Sequence, residues 1–188
     1  MSQRNQVAMT ARGELDYIEG PADNQTKYQK TNQAWCGACV NWVFKQVGVK
    51  IPDCTSTLAG ATAFQKAKQW QDAEGATPEV GDLAFFDFPG DNVDRISHIG
   101  IVVGVDGKTV TTIEGNTSGT GDQRNGGMVM VKVRAFGSGK EVVGFGRPKF
   151  VPYKGDFPIV EAPKTSAAKP KKEAKDGKIK SITRKLGS

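Results

Sequence analysis

His98-Ile99-Gly100-Ile101-Val102-Val103-Gly104-Val105 is the strongest strand signal in the chain, rich in β-branched isoleucine and valine. Asp106-Gly107 follows, a favoured two-residue hairpin turn, so Thr109 to Glu114 is expected to return antiparallel to it. Working outward, Gly115 to Gly127 is polar and glycine-rich and reads as a loop. Met128 to Arg134 alternates as a strand, and Val142 to Phe150, broken by glycines, reads as a last one. On the N-terminal side, Asp82-Leu83-Ala84-Phe85-Phe86-Asp87-Phe88 is short, aromatic-rich and closed by Pro89-Gly90, which again predicts a strand.

Before Gly81 the period changes to that of helices. In Ala34-Trp35-Cys36-Gly37-Ala38-Cys39-Val40-Asn41-Trp42-Val43-Phe44 the apolar positions recur at three and four residues, and Gly48 supplies the stop. Val7, Ala11, Leu15 and Ile18 space a shorter amphipathic helix ended by Gly20-Pro21. Thr55-Ser56-Thr57 offers N-caps for a helix from Leu58 to about Trp70. Helices first and antiparallel strands after them make an α+β fold.

The 188 residues suffice for one domain with a core plus an appendage. Residues 1–155 read as the folded domain. From Tyr153 onward composition shifts, and 156–188, with Lys164, Lys169, Lys171 and Lys172 among small polar residues, reads as a flexible basic tail or linker. Much of the net charge of +6 lies there. The three cysteines suggest no disulfide framework. No apolar run spans a membrane, and Met1 to Gln6 lacks the apolar core of a secretory signal, so a soluble protein made in a cytoplasm is expected. Asp23 and Asn24 do not make a coordination sphere and predict a turn.

Cys36 falls in the first turn of its helix, where free N–H groups and the helix dipole favour an anion, and the thiolate is the nucleophilic form of cysteine. The chain has one histidine, so an activating imidazole can only be His98, at a strand start. Glu114 and Asn116 lie two apart near the end of the returning strand, on one face and beside His98. A carboxylate there would fix the imidazole's tautomer and stabilise its charged form. The competing chemistry is redox: Trp35-Cys36-Gly37-Ala38-Cys39 differs by one residue from a thioredoxin site, although the polar Tyr28 to Gln33 does not read as the strand such a site needs. A third class, nucleic-acid binding through the basic tail, lacks interleaved aromatics, and nucleic acid is not an expected partner.

Four ordered stretches, Gln33-Ala34-Trp35-Cys36, Pro78-Glu79-Val80-Gly81-Asp82-Leu83, Ser97-His98-Ile99-Gly100-Ile101-Val102 and Thr112-Ile113-Glu114-Gly115-Asn116, resemble CHAP domains, the cysteine, histidine-dependent amidohydrolases or peptidases. Asn24-Gln25-Thr26-Lys27-Tyr28 is similar to the approach to the nucleophile in phage members, and the resemblance runs from about Leu15 to Phe150. It implies a papain-like α+β fold and cleavage of an amide in bacterial peptidoglycan, by an amidase or an endopeptidase. It also implies Cys36 as nucleophile, His98 as base, Glu114 as orienting acid and Asn116 as auxiliary polar group. Gln33, Trp35 and Tyr28 are the expected substrate-side residues, with Gln33 or backbone N–H groups of the helix start at the oxyanion. No metal and no cofactor is expected. A monomeric phage endolysin acting at the cell wall, with its basic tail on anionic wall polymers, is the context the resemblance suggests.

Overall fold

The computed structural model describes residues 1–88, 95–121 and 123–152. The basic tail and the boundary near 155 therefore lie outside the described residues, as does the turn expected at Pro89-Gly90. Among the described residues three helices come first: α1 (Gln3–Arg12), α2 (Cys36–Val47) and α3 (Thr57–Lys66). Six strands follow: β1 (Trp70–Asp72), β2 (Leu83–Phe86), β3 (His98–Asp106), β4 (Thr109–Thr117), β5 (Met128–Ala135) and β6 (Val142–Gly146). They form one sheet in the order β1-β6-β2-β3-β4-β5, every pair antiparallel. The fold is α+β.

Each helix has an identifiable start and stop. Ser2 caps α1 by accepting from Asn5 N–H at 3.3 Å, and Ser56 caps α3 through Ala59 N–H at 3.4 Å. Gly48, at φ 72°, ends α2 in the left-handed conformation that glycine adopts without strain. Helix α1 ends at Gly13 rather than at Gly20-Pro21. Leu15 and Ile18 keep a helical spacing but lie beyond it, because Glu14 turns inward to meet Tyr28 and Lys27. Helix α3 stops at Lys66, and Trp70 belongs to β1, a three-residue edge strand that the sequence did not announce.

The β3–β4 hairpin is displaced by one residue from expectation. Asp106 pairs with Thr109, so the loop is Gly107-Lys108, with the positive φ (54°) that tight hairpin turns favour on Gly107.

Alternation along the central strands divides two cores. Leu83, Phe85, Ile99, Ile101, Val103 and Ile113 pack with Val7, Ala11, Val40, Val43 and Phe44 of α1 and α2. Ala84, Phe86, Val102, Val110 and Phe145 fill the other face with Phe88 and Phe136. The sheet curls over that second core, and Phe136, just past β5, bridges Val142 at the start of β6. Burial of both faces of β2 explains its unbroken apolar sequence.

Asp82 fixes the helices to the sheet. Its fully buried carboxylate receives Arg4 Nη1 from α1 at 3.1 Å and Arg147 Nη2 at 2.8 Å, and its Oδ2 accepts Glu79 N–H at 2.9 Å.

Candidate functional site

Cys36 is the first residue of α2 and is 4% exposed. Its N-cap neighbour Trp35 makes no side-chain capping bond, so backbone N–H groups at this helix start keep their capacity to receive an anion. The residue after it must be glycine, since a Cβ at Gly37 would lie 1.7 Å from the Cys54 carbonyl oxygen. Cys36 opens onto a cleft of about 190 Å³ that residues 55–58, 95–97 and Arg124 also line.

His98 begins β3 and is completely buried beside the stacked rings of Phe86 and Phe88, whose centroids lie 5.7 and 5.6 Å away. Its Nε2 meets Glu114 Oε2 at 3.2 Å, while Nδ1 has no hydrogen-bond partner. That leaves Nδ1 as the nitrogen for the Cys36 thiol, which interacts with the ring. Burial pulls the imidazole pKa down, but Cys36 and Glu114 together outweigh it and push it up to about 9. The starts of a helix and a strand thus deliver thiol and imidazole to one place.

Glu114 is held from every side. Arg134, on β5, donates Nε to Oε1 at 3.0 Å and Nη2 to Oε2 at 2.7 Å, and Thr112 Oγ1 donates to Oε1 at 2.6 Å. Burial would raise this carboxyl, yet His98 and Arg134 hold it down at about 2, so it remains an anion. Gly100 makes the reach possible: a Cβ there would stand 2.7 Å from Glu114 Cγ. Positions 98 and 100 share a face, so the missing side chain clears the carboxylate's path to the histidine. Arg134 itself is 8% exposed and lies over Phe86 and Phe88, 5.4 and 5.1 Å from their centroids.

Sequence reasoning missed Arg134, because Met128 to Arg134 read only as an alternating strand with no residue singled out. In the structure Val131 and Val133 are 42% and 69% exposed, and the arginine points in. The available signal was charge: a buried carboxylate and imidazole need a cation near them.

The other expected residues lie elsewhere. Asn116 is buried but makes no hydrogen bond to His98. Its φ of 56° breaks the two-residue period, and its Nδ2 donates to Arg124 O at 3.1 Å and Asn125 Oδ1 at 3.4 Å. Gln33 is exposed and is not among the residues lining the cleft. Trp35 is fully buried, stacked on Tyr28 (5.4 Å) with Nε1 donating to Glu19 at 2.6 Å, which packs the helix start and presents no surface to a substrate. Tyr28 is half-buried and donates its hydroxyl to Glu14 at 2.6 Å.

Cys39 is buried, and a Cβ at Gly115 would lie 3.1 Å from its sulfur. Burial raises its pKa, and it pushes that of Cys54 up to about 12. No strand precedes Cys36, which removes the frame a thioredoxin-type dithiol requires. Among the described residues no cluster of three or more His, Cys, Asp or Glu is gathered as for a metal, and no helix is long and apolar enough to cross a membrane.

Residues 27–116 match the family model of the CHAP domain. No curated protein matches the chain. Solved structures similar to it include one titled "The crystal structure of Ly7917", 17% identical with a TM-score of 0.49, the match covering 77% of this chain and 62% of that one. A second, "The crystal structure of Ly7917 with the hydrolyzing product of MDP", is 16% identical with a TM-score of 0.45 and the same coverage. The chain thus spans less than two thirds of the length of those it matches.

Proposed function

We propose, from the premise that this chain carries a CHAP domain over residues 27–116, that it is a cysteine-dependent hydrolase of amide bonds in bacterial peptidoglycan. The observation that carries the reading is the buried series Cys36, His98, Glu114, Arg134 at the head of α2, opening on a cleft.

In this reading the Cys36 thiol passes its proton to His98 Nδ1 and the sulfur attacks the amide carbonyl carbon. The negative charge that develops on the oxygen faces the backbone N–H groups at the start of α2. The carbon–nitrogen bond then breaks, His98 protonates the departing amine, and a thioester remains on Cys36. Water attacks the thioester with His98 taking its proton, which releases a carboxylic acid and restores the thiol. Glu114 fixes the ring so that Nδ1 faces the sulfur, and Arg134 keeps Glu114 ionised without competing for Nδ1. We place the action at the cell wall, in the manner of a phage endolysin, with the basic residues of 156–188 drawn to anionic wall polymers.

The reading is tested by incubating the protein with purified peptidoglycan and identifying the soluble fragments by mass spectrometry. Each cut should add one water and expose one new amine and one new carboxyl. Release of no fragments, or equal release by Cys36→Ser, would overturn it.

A further inference from the structure

Helix α2 starts differently from the other two. Ser2 and Ser56 cap α1 and α3 with their hydroxyls, but Trp35, at the N-cap of α2, makes no side-chain capping bond. The helix that begins with Cys36 is held at its start by the surroundings of Trp35 instead. On one side is Gly115 of β4, where a Cβ would lie 2.8 Å from the indole. On the other is the ring of Tyr28, stacked at 5.4 Å with 23° between the planes.

Tyr28 belongs to a box of aromatic rings with a cation among them. Lys27 Nζ lies 5.0 Å from the ring centroid of Tyr17, 5.4 Å from that of Tyr28 and 5.0 Å from that of Trp42, on α2. At these distances a ring face attracts an ammonium. The same nitrogen meets Glu14 Oε2 at 2.5 Å. The Glu14 side chain is fully buried, and its Oε1 has no hydrogen-bond partner. A carboxylate so placed is costly unless a cation faces it, and Lys27 reaches in from the surface to do so. Tyr28 joins the pair to the helix: its hydroxyl donates to Glu14 Oε2 at 2.6 Å, and its ring packs edge-on to Trp42 at 5.6 Å. Lys27 N–H donates to the Tyr17 hydroxyl at 3.0 Å, so backbone and ammonium of one residue both close the box.

We propose that Lys27, its ammonium paired with Glu14 among these rings, is a positioning residue for the nucleophile. It fixes Tyr28 against Trp35, and through Trp35 the first turn of α2, from which Cys36 faces His98. The loop that leads to the thiol thus carries its own cation clamp, and the clamp does the work that a capping side chain does for α1 and α3. Leaving the N-cap without a side-chain bond keeps the N–H groups of that turn free for an anion, so the two features serve one end. This rests on the amide-hydrolase reading above and deepens it.

The test removes the ammonium and then gives it back. Lys27→Ala, in the full chain, lacks three methylenes and the charged nitrogen, the outline of propylammonium. With soluble muropeptides its kcat should fall by roughly 10²-fold, the cost of displacing reacting groups by about 1 Å. KM should change little, because residues 55–58 and 95–97 of the cleft belong to other elements. Propylammonium should restore most of the lost kcat saturably and leave the wild type unmoved, whereas n-propanol, which has no charge, should restore nothing. Lys27→Ala/Glu14→Gln relieves the buried charge and so guards against a variant that fails to fold. In it the amine should bind roughly 10- to 100-fold more weakly, as for loss of a charge-assisted hydrogen bond. The chain's one histidine supplies a readout that a merely structural defect would not move. Followed by NMR, the His98 ring should titrate at about 9 in the wild type, where Cys36 and Glu114 raise it. It should titrate at lower pH in Lys27→Ala, where the sulfur is displaced, and return with propylammonium. Wild-type kcat in Lys27→Ala overturns the inference, as does a loss that the amine fails to restore or that propanol restores equally. So does a His98 titration that Lys27→Ala leaves in place. If the wild type releases no fragments while the His98 titration shifts and returns as described, the hydrolase reading falls and the clamp stands.

Discussion

Cys36 and Cys39 sit three residues apart on one helix and differ in what surrounds them: one opens to a cleft and a histidine, the other to Trp35 and Gly115. Cys36→Ser should abolish wall hydrolysis with an unchanged circular dichroism spectrum. Cys39→Ser should retain most activity and lose about 1–3 kcal/mol in denaturant unfolding, from a polar hydroxyl put in place of a buried thiol. Glu114→Gln should lower kcat/KM by ~10²–10⁴, the range for loss of general-base function. With His98 pushed up to about 9, activity should fall as pH rises through that value, because the leaving amine needs the imidazole's proton. Glu114→Gln should move this alkaline limb to lower pH, which a purely structural defect would not do. The linkage to stability follows the same signs. The raised pKa of His98 contributes stability present below its unfolded value of 6.5 and lost as pH climbs through about 9. The depressed pKa of Glu114 contributes stability present above 4.5 and lost as pH falls through about 2. Cys36, His98 and Glu114 were legible because their chemistry restricts the choice: one histidine, one thiol at a helix start, one acid beside a hairpin end. Arg134 and the true contacts of Asn116 were not, since a charged side chain turned inward on an alternating strand and a single left-handed residue leave no periodic trace.

At the scale of elements, the hairpin β3–β4 is the frame of the site, and its critical feature is a side chain it lacks. Gly100→Ala would drive a methyl into Glu114 Cγ, and overpacking of this kind costs ~1–3 kcal/mol where neighbours cannot give way. Here the neighbour that must yield is the carboxylate itself, already fixed by Arg134 and Thr112. The expected result is a variant that still folds, with a modest fall in Tm, and whose kcat falls toward that of Glu114→Gln; wild-type kcat would contradict it. Elements with long periodic runs, α2 and β3 above all, could be read from the chain nearly to their ends. The three-residue β1 could not, because Trp70-Gln71-Asp72 is too short to show alternation and owes its strand geometry to β6. Helix α1 was overextended because Leu15 and Ile18 keep its spacing after Gly13 has ended it.

Across the whole molecule, the Asp82 clamp ties α1 to the segment that follows β6. Asp82→Ala would remove the buried anion that Arg4 and Arg147 share and leave them only the half-exposed Glu79. Breaking a buried pair costs ~3–5 kcal/mol, and the lower end applies here because both guanidiniums reach solvent. Calorimetry should register a Tm loss of roughly 6–12 °C, at about 2–4 °C per kcal/mol for a chain of this size. A chain ended at Pro152 should hydrolyse a small muropeptide normally and bind intact walls less well at low salt, since attraction between exposed charges is screened over about 8 Å at physiological ionic strength. Equal wall binding by both chains at low salt would reduce residues 156–188 to a spacer. The strand order carries a further consequence, for translation. Both β1 and β2 lean on β6, Trp70 and Leu83 each lying opposite Gly146. While the polypeptide is still emerging from the ribosome, β1 has no partner and β2 shows a bare edge, the kind of surface that recruits other chains. Cys36 is made early, but the sheet that surrounds His98 closes only when residues 142–146 have left the exit tunnel, so the thiol is synthesised long before the fold that brings the imidazole to it is complete.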